Sequence, residues 1–265
     1  MTSDEKPRIA VERDGDIATV TLSNPGKLNA LTVSMWRDLA RAMDGLSADD
    51  ALRCVVLRGA GSEAFAAGAD LAEFAQARDN AAQGRVYHRE YVHGALKSVS
   101  ECRHPTMAMI HGPCVGGGLE IACMCDLRIA GRSGRFGVPI NRLGFAIAYD
   151  ELAAVLPLTG RAVALEILVE GRVWDAGEAL AKGLLTRVVD DARLEAEALA
   201  AARRIAQGAP LVNRWHKQFV RRLAPRPAPL TEAEIAENFA YFATEDYRIG
   251  MQAFLDKKRP QFKGR

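Results

Sequence analysis

In residues 107–123, Met-Ala-Met-Ile-His-Gly-Pro-Cys-Val-Gly-Gly-Gly-Leu-Glu-Ile-Ala-Cys, a single carboxylate, Glu120, follows three consecutive glycines, Gly116, Gly117 and Gly118. Those residue types at that spacing suit proton transfer beside a carbonyl. Glycines let the backbone approach a ligand with no side chain between them. A helix beginning near Gly117 leaves its first N–H groups unpaired and turns the positive end of its dipole toward them, so an oxygen that gains negative charge is stabilised there. Residues three apart share a helix face, which sets Glu120 one turn beyond the Gly117 amide on the same side. An anion cradle with a carboxylate beside it is what general acid–base chemistry next to a carbonyl requires. Glycine-rich strand-to-helix turns also serve plain packing, and a first-turn glutamate also complements the dipole. The stretch alone leaves both readings open.

The elements that must position Glu120 follow from punctuation and periodicity. The apolar run 107–110 is too short for a helix and stops at Gly112-Pro113, so it reads as an interior strand. Upstream, residues 9–13 and 16–22 flank Asp14-Gly15, a strong hairpin signal. From about Thr32, Met35, Trp36, Leu39, Ala42, Met43 and Leu46 recur at helical spacing, and 53–58 is a second buried strand. After it, Phe65-Ala-Ala-Gly-Ala-Asp-Leu71 reads as a small-residue turn entering a helix. Strand, turn and helix over 53–77 thus recur at 106–125, and two such turns side by side can aim two backbone N–H donors at one oxygen. Residues 126–130 and 187–189 read as short strands. Residues 150–170 and 175–183 read as helices, the first ended near Pro157 and the second by Gly183. Beyond residue 190 the pattern is helical throughout: 191–207, 211–223, a Pro-rich break at 224–229, then 231–257 opened by a Thr231/Glu234 capping box. In that last segment Ile235, Phe239, Phe242, Ile249 and Ala253 mark one apolar face. Residues 1–190 therefore read as a strand–turn–helix core and 191–265 as a helical region that packs on the core or on another subunit.

The chain has 265 residues, 49% hydrophobic and 26% charged, with a net charge of +2. That composition gives no basis for nucleic-acid binding. From residue 201 onward 13 basic residues face 6 acidic ones, so the basic excess lies in the last third. No apolar stretch approaches bilayer-spanning length by this reading, and the polar start of the chain carries no signal-like apolar run, so no membrane association is expected. Five cysteines without CxxC spacing suggest reduced core residues and a cytoplasmic location. Gly59-Ala60-Gly61 lacks the third glycine of a dinucleotide fingerprint, and there is no phosphate-loop motif, HExxH or Gly-x-Ser-x-Gly. The five histidines read as structural or solvated side chains, and no metal site is expected.

Five blocks, in order along nearly the whole chain, carry a specific resemblance. They are residues 24–31 (NPGKLNAL), 64–71 (AFAAGADL), 111–120 (HGPCVGGGLE), 125–130 (CDLRIA) and 179–184 (ALAKGL). Together they resemble the crotonase (enoyl-CoA hydratase/isomerase) family. The resemblance implies an α/β fold of repeated ββα units wound as a spiral, with a C-terminal helical trimerisation region and a homotrimer or homohexamer. It also implies an acyl-CoA substrate of fatty-acyl type, no cofactor beyond the coenzyme A of that substrate, and an oxyanion hole made by the Ala69 and Gly117 amides with Glu120 as the catalytic acid/base. Lys27, Leu28, Ala30, Ala67, Gly68, Asp70 and Leu71 fall on the family's coenzyme A loops, and Gly116, Pro139, Ile140 and Leu143 fall against the substrate. Hydratases of this family pair two glutamates, and at the second position this chain has Ile140. Asp150 and Glu151 are candidates for the missing group, with solvent-facing positions at a helix start the expected case. Nominal enoyl-CoA hydratase activity, isomerase or decarboxylase chemistry suited to Ile140, and an acyl-CoA-binding protein of little activity all remain consistent with these residues.

Overall fold

A computed structural model describes residues 6–224, 229 and 231–263. The hairpin forms where the Asp-Gly signal lies: β1 (Arg8–Asp14) and β2 (Ile17–Ser23) pair antiparallel, and Gly15 takes a left-handed φ of 60°. The two loop residues are Gly15 and Asp16, one position later than the signal itself. α1 (Val33–Ala48) starts where the Thr32 hydroxyl accepts from the Met35 N–H, and its stripe Met35, Trp36, Leu39 and Met43 is buried. β3 (Cys54–Gly59) then runs parallel to β2.

The following segment departs from the expected unit. The turn after β3 enters only a 3₁₀ turn at Leu71–Glu73 and the single-turn α2 (Phe74–Ala77), because Asp70 caps the first and the chain leaves helical geometry at Arg78. α3 (Ala81–Val86), a π turn at Tyr87–Val92 and α4 (His93–Glu101) follow, a helical stretch the sequence reading passed over. Next come β4 (Thr106–Ile110), β5 (Pro113–Val115), α5 (Gly117–Met124), β6 (Leu127–Gly131), β7 (Arg135–Gly137) and a 3₁₀ turn at Pro139–Leu143. The core part ends with α6 (Tyr149–Leu165), β8 (Val173–Asp175), α7 (Ala176–Ala181) and β9 (Arg187–Val189). The strands form a six-stranded sheet in the order β1-β2-β3-β4-β6-β9 and a three-stranded sheet β5-β7-β8. The three short strands of the second sheet hold three residues each, too few to show a period of two.

α6 is not ended by Pro157; it runs through it and breaks at Gly160, where φ is 75° and ψ 170°. The helical run Tyr149–Glu170, 22 residues long, does have the length and composition to cross a membrane, contrary to the expectation. Its backbone is interrupted at Gly160, however, and its first turn carries a buried carboxylate, Glu151.

α8 (Asp191–Gln207), α9 (Pro210–Leu223), α10 (Glu232–Asn238) and α11 (Glu245–Leu255) complete the described chain. Strand alternation assigns them their roles. Val55 and Leu57 of β3 join the large core with α1 and α4, while Cys54 and Val56 face the other way and meet Leu194, Ala198, Ala201, Ala202 and Ala206 of α8. α8 is thus part of the core, and the change of pattern at residue 190 does not end it. The segment 231–257 is three pieces rather than one helix, because a second cap, the Thr244 hydroxyl on the Tyr247 N–H, starts α11 anew. Residues 225–228 of the Pro-rich break lie outside the described residues.

Candidate active site

Two backbone turns meet to form the floor of the site. Val115 N–H donates to the Ala66 carbonyl at 3.0 Å and Ala66 N–H to the Pro113 carbonyl at 3.1 Å, which lays the segment after β3 alongside β5. On its other side the same segment is held by Leu31, whose N–H donates to the Gly68 carbonyl at 2.7 Å and whose carbonyl accepts from Asp70 N–H at 2.9 Å. The turns touch at glycines with left-handed φ, Gly68 at 99° and Gly116 at 50°; a Cβ on Gly116 would stand 3.7 Å from the Gly68 Cα. Behind them Gly118 lets α5 press on the first turn, since a Cβ there would fall 2.4 Å from the Ala66 carbonyl oxygen. Ala69 N–H and Gly117 N–H donate to no protein acceptor among the described residues. Both residues line one cavity of about 320 Å³. Two backbone donors on adjoining turns are thereby left for a ligand oxygen.

The cavity walls are mostly apolar, including Trp36, Phe74, Val92, Phe145 and Phe254. Ala67, Gly68, Leu71, Gly116, Pro139, Ile140 and Leu143 also line it. Ile140 is an apolar piece of wall, as its type requires. Lys27, Leu28, Ala30 and Asp70 stand outside the cavity, on the two segments that Leu31 and Ala69 join. There Lys27 Nζ pairs with Asp70 Oδ2 at 2.7 Å, and Ala67 N–H donates to the Leu28 carbonyl at 3.0 Å. Leu28 and Asn29 take left-handed φ of 49° and 57°, a strained pair held by the Asn29 amide bonds to the Ala60 and Ala64 carbonyls.

Six ionisable side chains line the cavity: Arg78, Tyr87, His88, Glu120, Arg142 and Glu151. The expectation that Glu151 faces solvent is wrong, since it is 5% exposed. Asp150, its neighbour, is the solvent-facing one; it lies outside the cavity, 3.6 Å from His93 Nδ1, with its side chain 41% exposed. Consecutive residues in a helix point about 100° apart, so only one of the two can enter the site. His88, expected to be structural or solvated, is a second buried residue of the cavity wall. Buried in the π turn, it hydrogen-bonds the Glu151 carboxylate through Nδ1. The second Glu151 oxygen accepts from Ala148 N–H at 3.4 Å.

The two carboxyls are driven apart. Burial, and then the charge of Glu151, push the Glu120 carboxyl well above the ordinary carboxylate range against a smaller pull from Arg78. Burial alone would also raise Glu151, but His88, by charge and hydrogen bond, with Arg78 and the Ala148 amide, outweighs it and holds this carboxyl below its ordinary value. The two proton affinities are thus displaced in opposite directions, Glu120 toward the protonated form and Glu151 toward the ionised one, the disposition of an acid and a base in one cavity.

Sequence reasoning missed Arg78 and His88. Neither belongs to a motif, and an arginine beside Asp79 and Asn80 carries the composition of an exposed loop. The faint signal is the aromatic density around them, Phe74, Tyr87 and Tyr91.

The enoyl-CoA hydratase/isomerase family model matches residues 12–265. This chain belongs to that family. It is 30% identical over 263 residues to the short-chain-enoyl-CoA hydratase of Clostridium acetobutylicum, covering 98% of this chain and 100% of that one. Among solved structures, an enoyl-CoA hydratase/carnithine racemase from Magnetospirillum magneticum is 50% identical, with a TM-score of 0.81 over 97% of this chain and 96% of the other. A methylmalonyl-CoA decarboxylase complexed with 2S-carboxypropyl CoA is 27% identical, with a TM-score of 0.87 over 97% and 98%. The expected crotonase-like α/β fold is thereby established, and members of the family act on acyl-CoA substrates.

Proposed function

We propose that this protein hydrates 2-enoyl-CoA thioesters, reversibly, with Glu151 as the base and Glu120 as the acid. The observation that carries the reading is the presence of both carboxyls in one cavity with their proton affinities displaced in opposite directions. The thioester oxygen accepts from Ala69 and Gly117 N–H. Ionised Glu151 takes a proton from water as the water oxygen bonds to C3. The π electrons move toward the thioester, and the negative charge on its oxygen is stabilised by the two amides and the start of α5. Glu120 then delivers its proton to C2. Exchange of protons with water afterwards restores both carboxyls, and the reverse sequence eliminates water. The 27–31 and 67–71 segments hold the coenzyme A part, with Lys27, Leu28, Ala30, Ala67, Gly68, Asp70 and Leu71 on them, while Gly116, Pro139, Ile140 and Leu143 enclose the acyl part. Ile140 is then an inert wall, because Glu151 performs the second carboxylate's work from α6.

Decarboxylation is the second reading, supported by the apolar wall at Ile140 and by the likeness to a methylmalonyl-CoA decarboxylase. The two separate by assay. Crotonyl-CoA should lose its conjugated absorbance on addition of enzyme, whereas methylmalonyl-CoA should release no carbon dioxide. The opposite pair of results overturns the hydratase reading. We also propose a homotrimer or homohexamer, from the exposed apolar face of α9, and a cytoplasmic setting, from five buried free cysteines.

A further inference from the structure

Arg78 is 2% exposed, lines the cavity, and acts on the Glu120 and Glu151 carboxyls through space with no carboxylate in direct contact with it. Its guanidinium carbon lies 4.2 Å from the Phe74 ring centre and 4.5 Å from that of Phe145, and a terminal nitrogen donates to the Tyr241 hydroxyl at 3.0 Å. Among the described residues no carboxylate oxygen comes within 4.0 Å of it. Glu151 is engaged by His88. Arg78 Nε has no hydrogen-bond partner. Of the eight buried, unpartnered side-chain nitrogens among the described residues, only Arg78 Nε and His88 Nε2 belong to residues of the cavity wall. Ring faces stabilise the cation, but its in-plane N–H groups still require an acceptor. Burying a guanidinium without a carboxylate in contact is costly, and the cost is reduced when a ligand brings a hydrogen-bonding negative charge with it.

We propose that the acyl group of the natural substrate carries a carboxylate of its own, and that Arg78 receives it in the cavity. The substrate class is then a monothioester of a dicarboxylic acid, with coenzyme A at one end and a free carboxylate at the other. This rests on the acyl-CoA reading above and narrows it. A planar guanidinium with an unused N–H is the protein group best matched to a carboxylate. Burial disfavours the charged form of Glu120, which lessens its repulsion of such a ligand, and Glu151 is hydrogen-bonded by His88. The alternative is a purely structural Arg78 that staples the 71–78 segment to the C-terminal aromatic cluster through Tyr241. A staple has no preference among acyl groups.

Calorimetric titration with glutaryl-CoA and pentanoyl-CoA separates the two. These saturated thioesters have equal carbon counts, cannot be hydrated, and differ only in a terminal carboxylate against a methyl. The wild type should bind glutaryl-CoA roughly 10–100-fold more tightly, as expected for a hydrogen-bonded charge pair. Arg78→Gln, with circular dichroism as the check of fold, should lose the preference, and Arg78→Lys should keep part of it. Equal affinities in the wild type, or a preference that survives Arg78→Gln, overturn the proposal and leave the acyl-CoA reading standing. Failure of both thioesters to bind, together with inert crotonyl-CoA, overturns both at once.

Discussion

Replacing Glu151 with glutamine removes one charge from the cavity and the long 3.4 Å hydrogen bond from the Ala148 N–H. Glutamine has the same length, and its amide oxygen still accepts from His88 Nδ1, so the contact between α6 and the π turn survives. What is lost is the ionised oxygen that accepts water's proton. General acid–base catalysis contributes about 10²–10⁴-fold, and that is the expected fall in turnover of enoyl-CoA. The pH profile tells a lost base from a loosened fold. Glu151 works when ionised, so activity in the wild type falls on the acid side as pH drops through its depressed pKa. Glu120 works when protonated, so activity falls on the alkaline side as pH rises through its raised pKa. The two limbs belong to the coupled pair. Glu151→Gln should abolish the acid limb and Glu120→Gln the alkaline one, read from initial rates of absorbance loss across a pH series. Stability should move in opposite senses. The raised Glu120 pKa means that the unfolded chain ionises first as pH rises above about 4.5, so wild-type stability declines from there toward the folded pKa. Glu120→Gln should therefore melt higher than wild type at pH 7.5, with the gap closing below pH 4.5. Glu151, with a depressed pKa, contributes stability that is present above 4.5 and lost as pH falls through its folded value. Turnover by Glu151→Gln within about 10-fold of wild type, or an acid limb unchanged by it, refutes the assignment of the base.

The remaining predictions concern the oxyanion hole and the assembly. Gly117→Ala keeps the N–H but sets a Cβ 2.8 Å from the fully buried Trp36 ring, and overpacking of this kind costs about 1–3 kcal/mol of stability. Gly117→Pro adds loss of the donor at a first helical position that tolerates proline, so its kcat should lie a further ~10²–10³ below that of Gly117→Ala. Equal kcat in the two folded variants would move the hole elsewhere. On α9, Leu211, Trp215, Phe219 and Leu223 stand four residues apart and are exposed by 50% or more, so they form one apolar stripe. Light scattering at micromolar concentration should give a trimeric or hexameric mass, lowered by Phe219→Glu, and a monomeric wild type would refute the assembly.

Local chemistry made much of this protein legible in its sequence. Asp14-Gly15 specifies a hairpin, Thr32 and Thr231 cap helices whatever surrounds them, and the apolar runs of β3 and β4 have no use outside a sheet interior. The two glycine- and alanine-rich turns and Glu120 were equally legible, because backbone donors and a first-turn carboxylate follow from residues adjacent in the chain. The short strands β5, β7 and β8, the break at Gly160 and the division of 231–257 were not, since each depends on a partner or a competing cap that periodicity does not register. Tertiary structure alone decided which second carboxylate enters the cavity. Asp150 and Glu151 are neighbours of the same charge at the start of one helix, and composition does not separate them. The rotation of α6 against the cavity turns Glu151 inward to His88 and leaves Asp150 in solvent. Arg78 joins them from 42 residues before Glu120 because the rings of Phe74 and Phe145 and the Tyr241 hydroxyl form a pocket that can hold a buried cation. Proton affinities are set by what lies within a few ångströms in space, so no local pattern in the chain could have shown which carboxyl is pushed up and which is held down.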